Sequence, residues 1–226
     1  MTYALKDNVL TCISDVESGL KCGCICPQCK SVLVAHKGNK NIHHFKHYNS
    51  QECEKGYQTS LHMLAKEIIS NEKSFLIPPV SYSFNRNNKF IDIPEMKISI
   101  DKVELETKTG DIIPDIILYS GTQILLVEIY VTHKIDEEKR NKIESLGLST
   151  IEIDLSHIDK KISYENLRDI LINSCSEKQW IFNKFVNNCV KKLYDISKLY
   201  PVIDRIINSS YGVVYHIDNC PKKARI

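Results

Sequence analysis

The sequence predicts an α+β or α/β chain in three parts: a small N-terminal metal-binding module at 1–57, a core at 58–160 in the order helix, three strands, helix, strand, and a mainly helical C-terminal region at 161–226. Three observations carry this expectation. Five of the nine cysteines fall between Cys22 and Cys53, mixed with histidines, and an odd, clustered count fits a metal site better than a disulfide framework. Residues 60–72 place Leu61, Leu64, Ala65 and Ile68 on one helical stripe before a series of strand-like runs. From about Tyr164 apolar residues recur at helical spacing to Tyr200.

The elements follow in order. Residues 1–20 read as edge strands leading into the cysteine cluster, and Gly38, Asn39 and Asn41 mark a turn within it. Thr59 or Ser60 caps the helix at 60–72, and Pro78 and Pro79 end that unit. Residues 90–93 and 97–106 alternate, slipping phase near Asp101 and Lys102. Two strands follow at about 112–119 and 123–131. Residues 136–147 form a helix capped by Asp136 and stopped by Gly147, and 150–155 form another strand. In the tail, Trp180, Ile181, Phe185, Cys189 and Leu193 form one helical core stripe, and Pro201 opens a short helix.

Charge is uneven. From Lys21 to Lys66 there are seven lysines and two acids, a local +5 in a chain whose net charge is +2. Such a block suits a polyanion, with Lys37, Lys40 and Lys46 around the cysteine cluster as candidate phosphate contacts. No apolar run approaches the roughly 20 residues needed to cross a bilayer. MTYALKDNVL has no signal-peptide pattern, so the expected setting is cytoplasmic, with reduced thiols.

Two acids interrupt the most apolar stretch, GDIIPDIILYSGTQILLVEIYVTHK at 110–134. Gly121-Thr122 suits a two-residue type II′ hairpin loop. Ser120 then pairs with Gln123, and counting back along both strands brings Asp115 opposite Glu128, with Cβ atoms about 4.5–5.5 Å apart. Leu125, Val127, Ile129 and Val131 form an apolar face, whereas Ile124, Leu126, Glu128 and Tyr130 form one that turns polar. Like charges facing each other in a sheet are unfavourable unless a cation lies between them, and oxygen ligands suit Mg²⁺ or Mn²⁺. A turn one residue longer would instead offset the pair, and one carboxylate could meet a lysine or lie at a solvated sheet edge.

Cys26-Pro27-Gln28-Cys29, seventeen residues, His47, five residues and Cys53 supply a Cys₃His set suited to structural zinc. Cys22 and Cys24 remain alternative ligands, and His43 and His44 compete with His47. Phe45 reads as a core plug beside the metal.

Pro114-Asp115 followed by Glu128-Ile129-Tyr130, in the order helix, three strands, helix, strand, resembles the PD-(D/E)XK nuclease core. The resemblance implies Asp115 and Glu128 as ligands of a catalytic divalent metal. It places Tyr130 where those nucleases carry a lysine, so Lys66 or Lys134 would have to substitute. The further pattern CPxC, HHFxH, a cysteine, then Ser60, His62 and Lys66 in SxxHxxxK-like order resembles the competence protein CoiA-like family, as do EIYVTHKID at 128–136 and KQWIFN at 178–183. The likeness covers about residues 20–185 and implies a zinc-ribbon-like module followed by a nuclease core. It also implies His62 and Lys66 as catalytic helpers, and DNA, single-stranded in some settings, as substrate. A recombinase-type protein partner is implied as well. The alternative is an inactive DNA-binding recombination mediator on the same fold, because the lysine is missing. HIDNCPKKARI at the C-terminus is a partial match to a second cysteine segment.

Overall fold

The computed structural model describes residues 1–39, 42–49, 53, 55–85, 88–132, 134–159, 162–199, 205–209 and 212–216. The chain is mixed α and β and forms two compact units, Met1–Phe182 and Asn183–Ile226. It opens with an antiparallel hairpin, β1 (Tyr3–Lys6) and β2 (Val9–Cys12), turned by Asp7 and Asn8, both at positive φ. Two short 3₁₀ turns lead to a second hairpin, β3 (Leu33–His36) and β4 (His44–His47). Cys22, Cys24, Leu33, Ala35 and Phe45 bury together with Ala4, Ile13 and Val16 to give this module its own apolar centre. Phe45 is therefore the core plug that its place in the sequence suggests.

Helix α1 (Gly56–Asn71) starts four residues before the expected Ser60. Neither expected cap serves as one. Ser60 donates its hydroxyl to the Tyr3 carbonyl, and Thr59 bonds Gln28 and the Lys55 carbonyl. The helix instead begins where the Gly56 N–H reaches the Cys53 carbonyl at 2.9 Å. Its stripe of Leu61, Leu64, Ala65, Ile68 and Ile69 is buried as the spacing predicts.

Four strands follow, β5 (Ser74–Ile77), β6 (Val80–Asn85), β7 (Asn88–Ile93) and β8 (Met96–Ser99), with β5 paired to β8 and β6 to β7. The main sheet comprises β9 (Lys102–Leu105), β10 (Ile116–Ser120), β11 (Gln123–Tyr130), β12 (Ser149–Asp154) and β13 (Lys178–Phe182), in spatial order β13-β12-β11-β10-β9. Helix α2 (Glu137–Leu146) crosses from β11 to the parallel β12. Asp136 caps it through the Lys139 N–H at 2.7 Å, and Gly147 ends it in the left-handed region at φ 66°. Helix α3 (Tyr164–Asn173) lies between β12 and β13 in the chain.

Strand alternation sorts the two faces. Leu125, Val127, Ile129, Ile116 and Leu118 join the α1 and α3 residues in the main core. Leu126 and Ile117 face the other way, onto Ile143 of α2 and Ile112. The β10–β11 turn behaves as predicted: Ser120 pairs with Gln123, and Gly121 has φ 55° while Thr122 does not share the positive region.

The tail departs from expectation. Residues 178–182 are a strand, so Trp180 and Ile181 do not belong to a helical stripe with Phe185 and Cys189. Trp180 instead donates its indole N–H to the Pro78 carbonyl at 3.1 Å. Helical spacing over a short apolar run is equally a strand signal, and pairing with β12 decided it. The first unit thus extends to Phe182 rather than ending near residue 160. The second unit holds α4 (Lys184–Leu199) and a hairpin of β14 (Arg205–Ser209) and β15 (Gly212–His216), so the region expected to be mainly helical also carries strands. The short helix expected at Pro201 and the role of Cys220 lie outside the described residues.

Ile153, fully buried in β12, should reveal how much the central sheet contributes. Ile153→Ala is expected to lose about 2–5 kcal/mol of unfolding free energy in urea titrations.

Candidate functional site

Two constellations lie in the first unit. The first is the Cys₃His set. The ligand atoms of Cys26, Cys29, His47 and Cys53 all lie within 4.8 Å of one another. A tetrahedral zinc with bonds near 2.3 Å places its sulfurs about 3.8 Å apart, so the set fits such an ion in number, chemistry and spread. His47 offers Nε2, 3.2 Å from the Cys29 sulfur. Cys29 is lowered to about 6 by the Ser31 hydroxyl and N–H, with His47 assisting, so it reaches thiolate easily. Burial raises Cys26; a bound cation would reverse that. Gly56 suits this place because a Cβ would come 3.1 Å from the Cys26 sulfur and press on it.

The structure closes the open alternatives. Cys22 and Cys24 are fully buried, with their thiols on the Leu33 and Cys22 carbonyls, and are core side chains. His44 stacks on His36 instead of joining the cluster, and His43 is exposed.

The second constellation is a cavity of about 210 Å³ lined by Asp115, Glu128, Tyr130, Lys134, Lys139 and Glu152. The pairing of β10 and β11 stops at Ile116 and Val127, one step short of the two acids. Asp115 is therefore not a strand partner of Glu128. Its Oδ2 accepts the Ile129 N–H at 2.8 Å, in place of the next rung of the ladder. His62, on the second turn of α1, contacts the same carboxylate through Nε2 at 2.9 Å. Burial pushes Asp115 upward, but the His62 hydrogen bond and charge, the Ile129 N–H and the Lys66 charge outweigh it and hold the carboxyl below its ordinary range. Lys66 is itself buried and paired with Glu106, so it acts on Asp115 through space.

Glu128 is 4% exposed. Its Oε2 accepts from Lys139 Nζ at 2.8 Å, whereas Oε1 is buried with no hydrogen-bond partner. Burial raises this carboxyl to about 7; Lys139 opposes the shift and Asp115 adds to it. The Tyr130 side chain lines the cavity without an ammonium, and Lys134 borders it from an exposed position.

Two residues escaped the sequence reading. Lys139 stands in the first turn of α2, and the Asp136 cap directly after β11 could have indicated that this turn folds back over the strand's end. Glu152 is fully buried, in register with Glu128 across the parallel pair, and accepts from the Ile135 N–H at 3.2 Å and the Gln179 amide at 2.5 Å. Its place in the TIEID alternation was the available signal.

The candidate phosphate contacts divide. Lys37 is not offered to a ligand: its ammonium donates to the Ser14 and Val16 carbonyls at 3.0 and 2.8 Å. Lys46 is exposed on β4, and Lys40 lies outside the described residues. A second hollow of about 310 Å³ lies between Gln28 of the module, Lys55 just before α1, Gln58, Thr59 and His62 of α1, and the end of β11. His62 thus borders this hollow while contacting the carboxylate of the first. No described helix is long and apolar enough to cross a membrane. No protein-family model, curated protein or solved structure matches the chain.

Purified protein is expected to hold one zinc per chain by elemental analysis. Cys29→Ser and Cys53→Ser should lose it, while Cys22→Ala and Cys24→Ala should keep it. The Glu128 carboxyl gives a pH prediction. A folded value near 7 against 4.5 when unexposed effects are absent means the folded state keeps a proton that the unfolded chain has lost. Stability therefore falls as pH rises from about 4.5 to about 7 and is flat above, by on the order of 3 kcal/mol. Relative to the wild type, Glu128→Gln should gain stability across that window in melts without added Mg²⁺ or Mn²⁺.

Proposed function

We propose that this chain is a divalent-metal-dependent nuclease of the PD-(D/E)XK type, acting on DNA in transformation, recombination or defence against foreign DNA. The observation that carries the reading is the partnerless Glu128 Oε1, buried in a residue that lines the same cavity as Asp115. A buried carboxylate oxygen without a donor calls for a cation. Asp115 and Glu128 would hold Mg²⁺ or Mn²⁺, with Glu152 behind them. When bound, such an ion acidifies water and polarises a phosphodiester.

The chain's own groups do the rest. His62 and the Ile129 N–H fix the Asp115 carboxylate and keep it ionised. Lys139 supplies the ammonium that Tyr130 lacks at the position two residues after Glu128. Its charge lies on the Glu128 carboxylate, where it offsets negative charge that builds on a phosphate in reaction. Lys66 adds positive potential behind Asp115. Seven strands, not three, separate α1 from α2; with the pairs β5–β8 and β6–β7 taken as an insertion, the remaining order of α1, β9, β10, β11, α2 and β12 supports the reading, as do the CoiA-like motifs. The Cys₃His module, with structural zinc, would set the first turn of α1 and so the position of His62. Single-stranded DNA, a recombinase-type partner and a cytoplasmic setting belong to the same reading.

The second reading is a DNA-binding recombination mediator without cleavage. The ion pair between Lys139 and Glu128 favours it, because Lys139 already neutralises one of the two metal ligands.

Cleavage of single- and double-stranded DNA with Mn²⁺ or Mg²⁺ separates the two. Asp115→Ala and Glu128→Ala are expected to abolish cutting, Lys139→Ala to slow it roughly 10²-fold, and Tyr130→Phe to leave it nearly unchanged. Cutting that survives loss of both acids rules out the nuclease assignment.

A further inference from the structure

The outer face of the β3–β4 hairpin belongs to neither constellation. Alternation turns Leu33, Ala35 and Phe45 inward, where they are buried. It turns Val34 and His36 outward on β3, and His44 and Lys46 outward on β4, with Val34 opposite Lys46 and His36 opposite His44. The Tyr48 N–H continues the pairing onto the Val32 carbonyl at 3.0 Å. Val32 and Tyr48 are 50% and 46% exposed. The His36 and His44 rings lie stacked, 8° from parallel, with centroids 5.2 Å apart. One open sheet face thus presents, in sequence, a ring pair, a lysine beside a valine, and a tyrosine beside a valine.

The stretch that carries this face is charged with one sign, although Asp15 and Glu17 lie near its edge, beside the carbonyls that Lys37 bonds. Residues 18–51 contain five lysines, four histidines and no Asp or Glu. A zinc ion on three thiolates carries a charge of about −1, which leaves the stretch strongly positive. A positive sheet face with interleaved flat rings is the surface on which unpaired bases stack and phosphates are held.

We propose that this face is a platform for single-stranded nucleic acid. One base extends the imidazole stack at His36, another lies on Tyr48, and Lys46 takes a phosphate between them. Tyr48 directly follows β4, four residues on from His44 and about 13 Å away in extended chain, which leaves Lys46 midway. A duplex hides its base faces and gains only the lysine. An acidic peptide or an anionic lipid surface would likewise use the charge and not the rings. The proposal deepens the nucleic-acid reading of the preceding subsection without depending on cleavage.

The test uses the full, zinc-loaded chain carrying Asp115→Ala and Glu128→Ala, so that nothing is cut. Fluorescence anisotropy compares a short oligothymidine with an abasic oligomer of equal length. Tyr48→Ala and His36→Ala are each expected to weaken oligothymidine binding about fivefold or more and to leave abasic binding unchanged. Tyr48→Phe should restore it, and zinc content should stay constant throughout. Lys46→Ala should weaken both oligomers and lower the salt slope by about one. Equal losses on both oligomers would reduce the face to a plain polyanion surface, and no loss would remove it from binding altogether; either result overturns the platform. Stacking-dependent binding without any Mn²⁺-dependent cutting by the wild type would instead overturn the nuclease and leave the platform standing.

Discussion

Helix α1 is the constraint on which the first unit depends. A Cβ at its first residue, Gly56, would come 3.1 Å from the Cys26 sulfur, so the helix starts tight against the Cys₃His cluster. One turn later His62 reaches Asp115, and the following turns bury Leu64, Ala65, Ile68 and Ile69 under the sheet. The helix thus runs from the module to the core, each of which has its own apolar centre.

Around the two carboxylates, burial and charge pull in opposite directions, and the balance differs between them. Asp115 has an imidazole, a backbone N–H and a nearby ammonium, and these exceed its desolvation cost. Glu128 has one ammonium, which does not. The pair is thus split into one acid held ionised and one poised near neutrality. Separated titrations in one cavity are a common mark of a functional site, though ion-pair networks also produce them. The Glu128 Oε1 adds to this split an acceptor that is buried without a hydrogen-bond partner among the described residues.

Much of this was legible from residue spacing. The II′ turn at Gly121, the faces of β10 and β11, the Asp136 and Gly147 ends of α2, and the Cys26, Cys29, His47, Cys53 set all follow from local chemistry. What was not legible depends on contacts distant in sequence. The start of α1 is set by Cys26 and Cys53 rather than by a capping hydroxyl, which Tyr3 draws away. Trp180 lies in a strand because β12 offered it an edge. Asp115 left the ladder because its own carboxylate, not its backbone, meets the Ile129 N–H. Lys37 looked like a phosphate ligand until two carbonyls of the N-terminal segment took its ammonium. In each case a tertiary partner overrode a correct local preference.

The position of Lys139 supports the same conclusion from a different direction. It stands in the first turn of α2, where the helix dipole disfavours a cation by about 0.3–1 kcal/mol. Glu137 and Glu138 in that turn offset part of the cost, but neither accepts from its ammonium, which goes to Glu128. A lysine placed for helix stability would stand at the other end. Its location is explained by the buried carboxylate it reaches. The end of β11 and the start of α2 therefore form one electrostatic unit, in which Tyr130 contributes a wall and the helix contributes the charge.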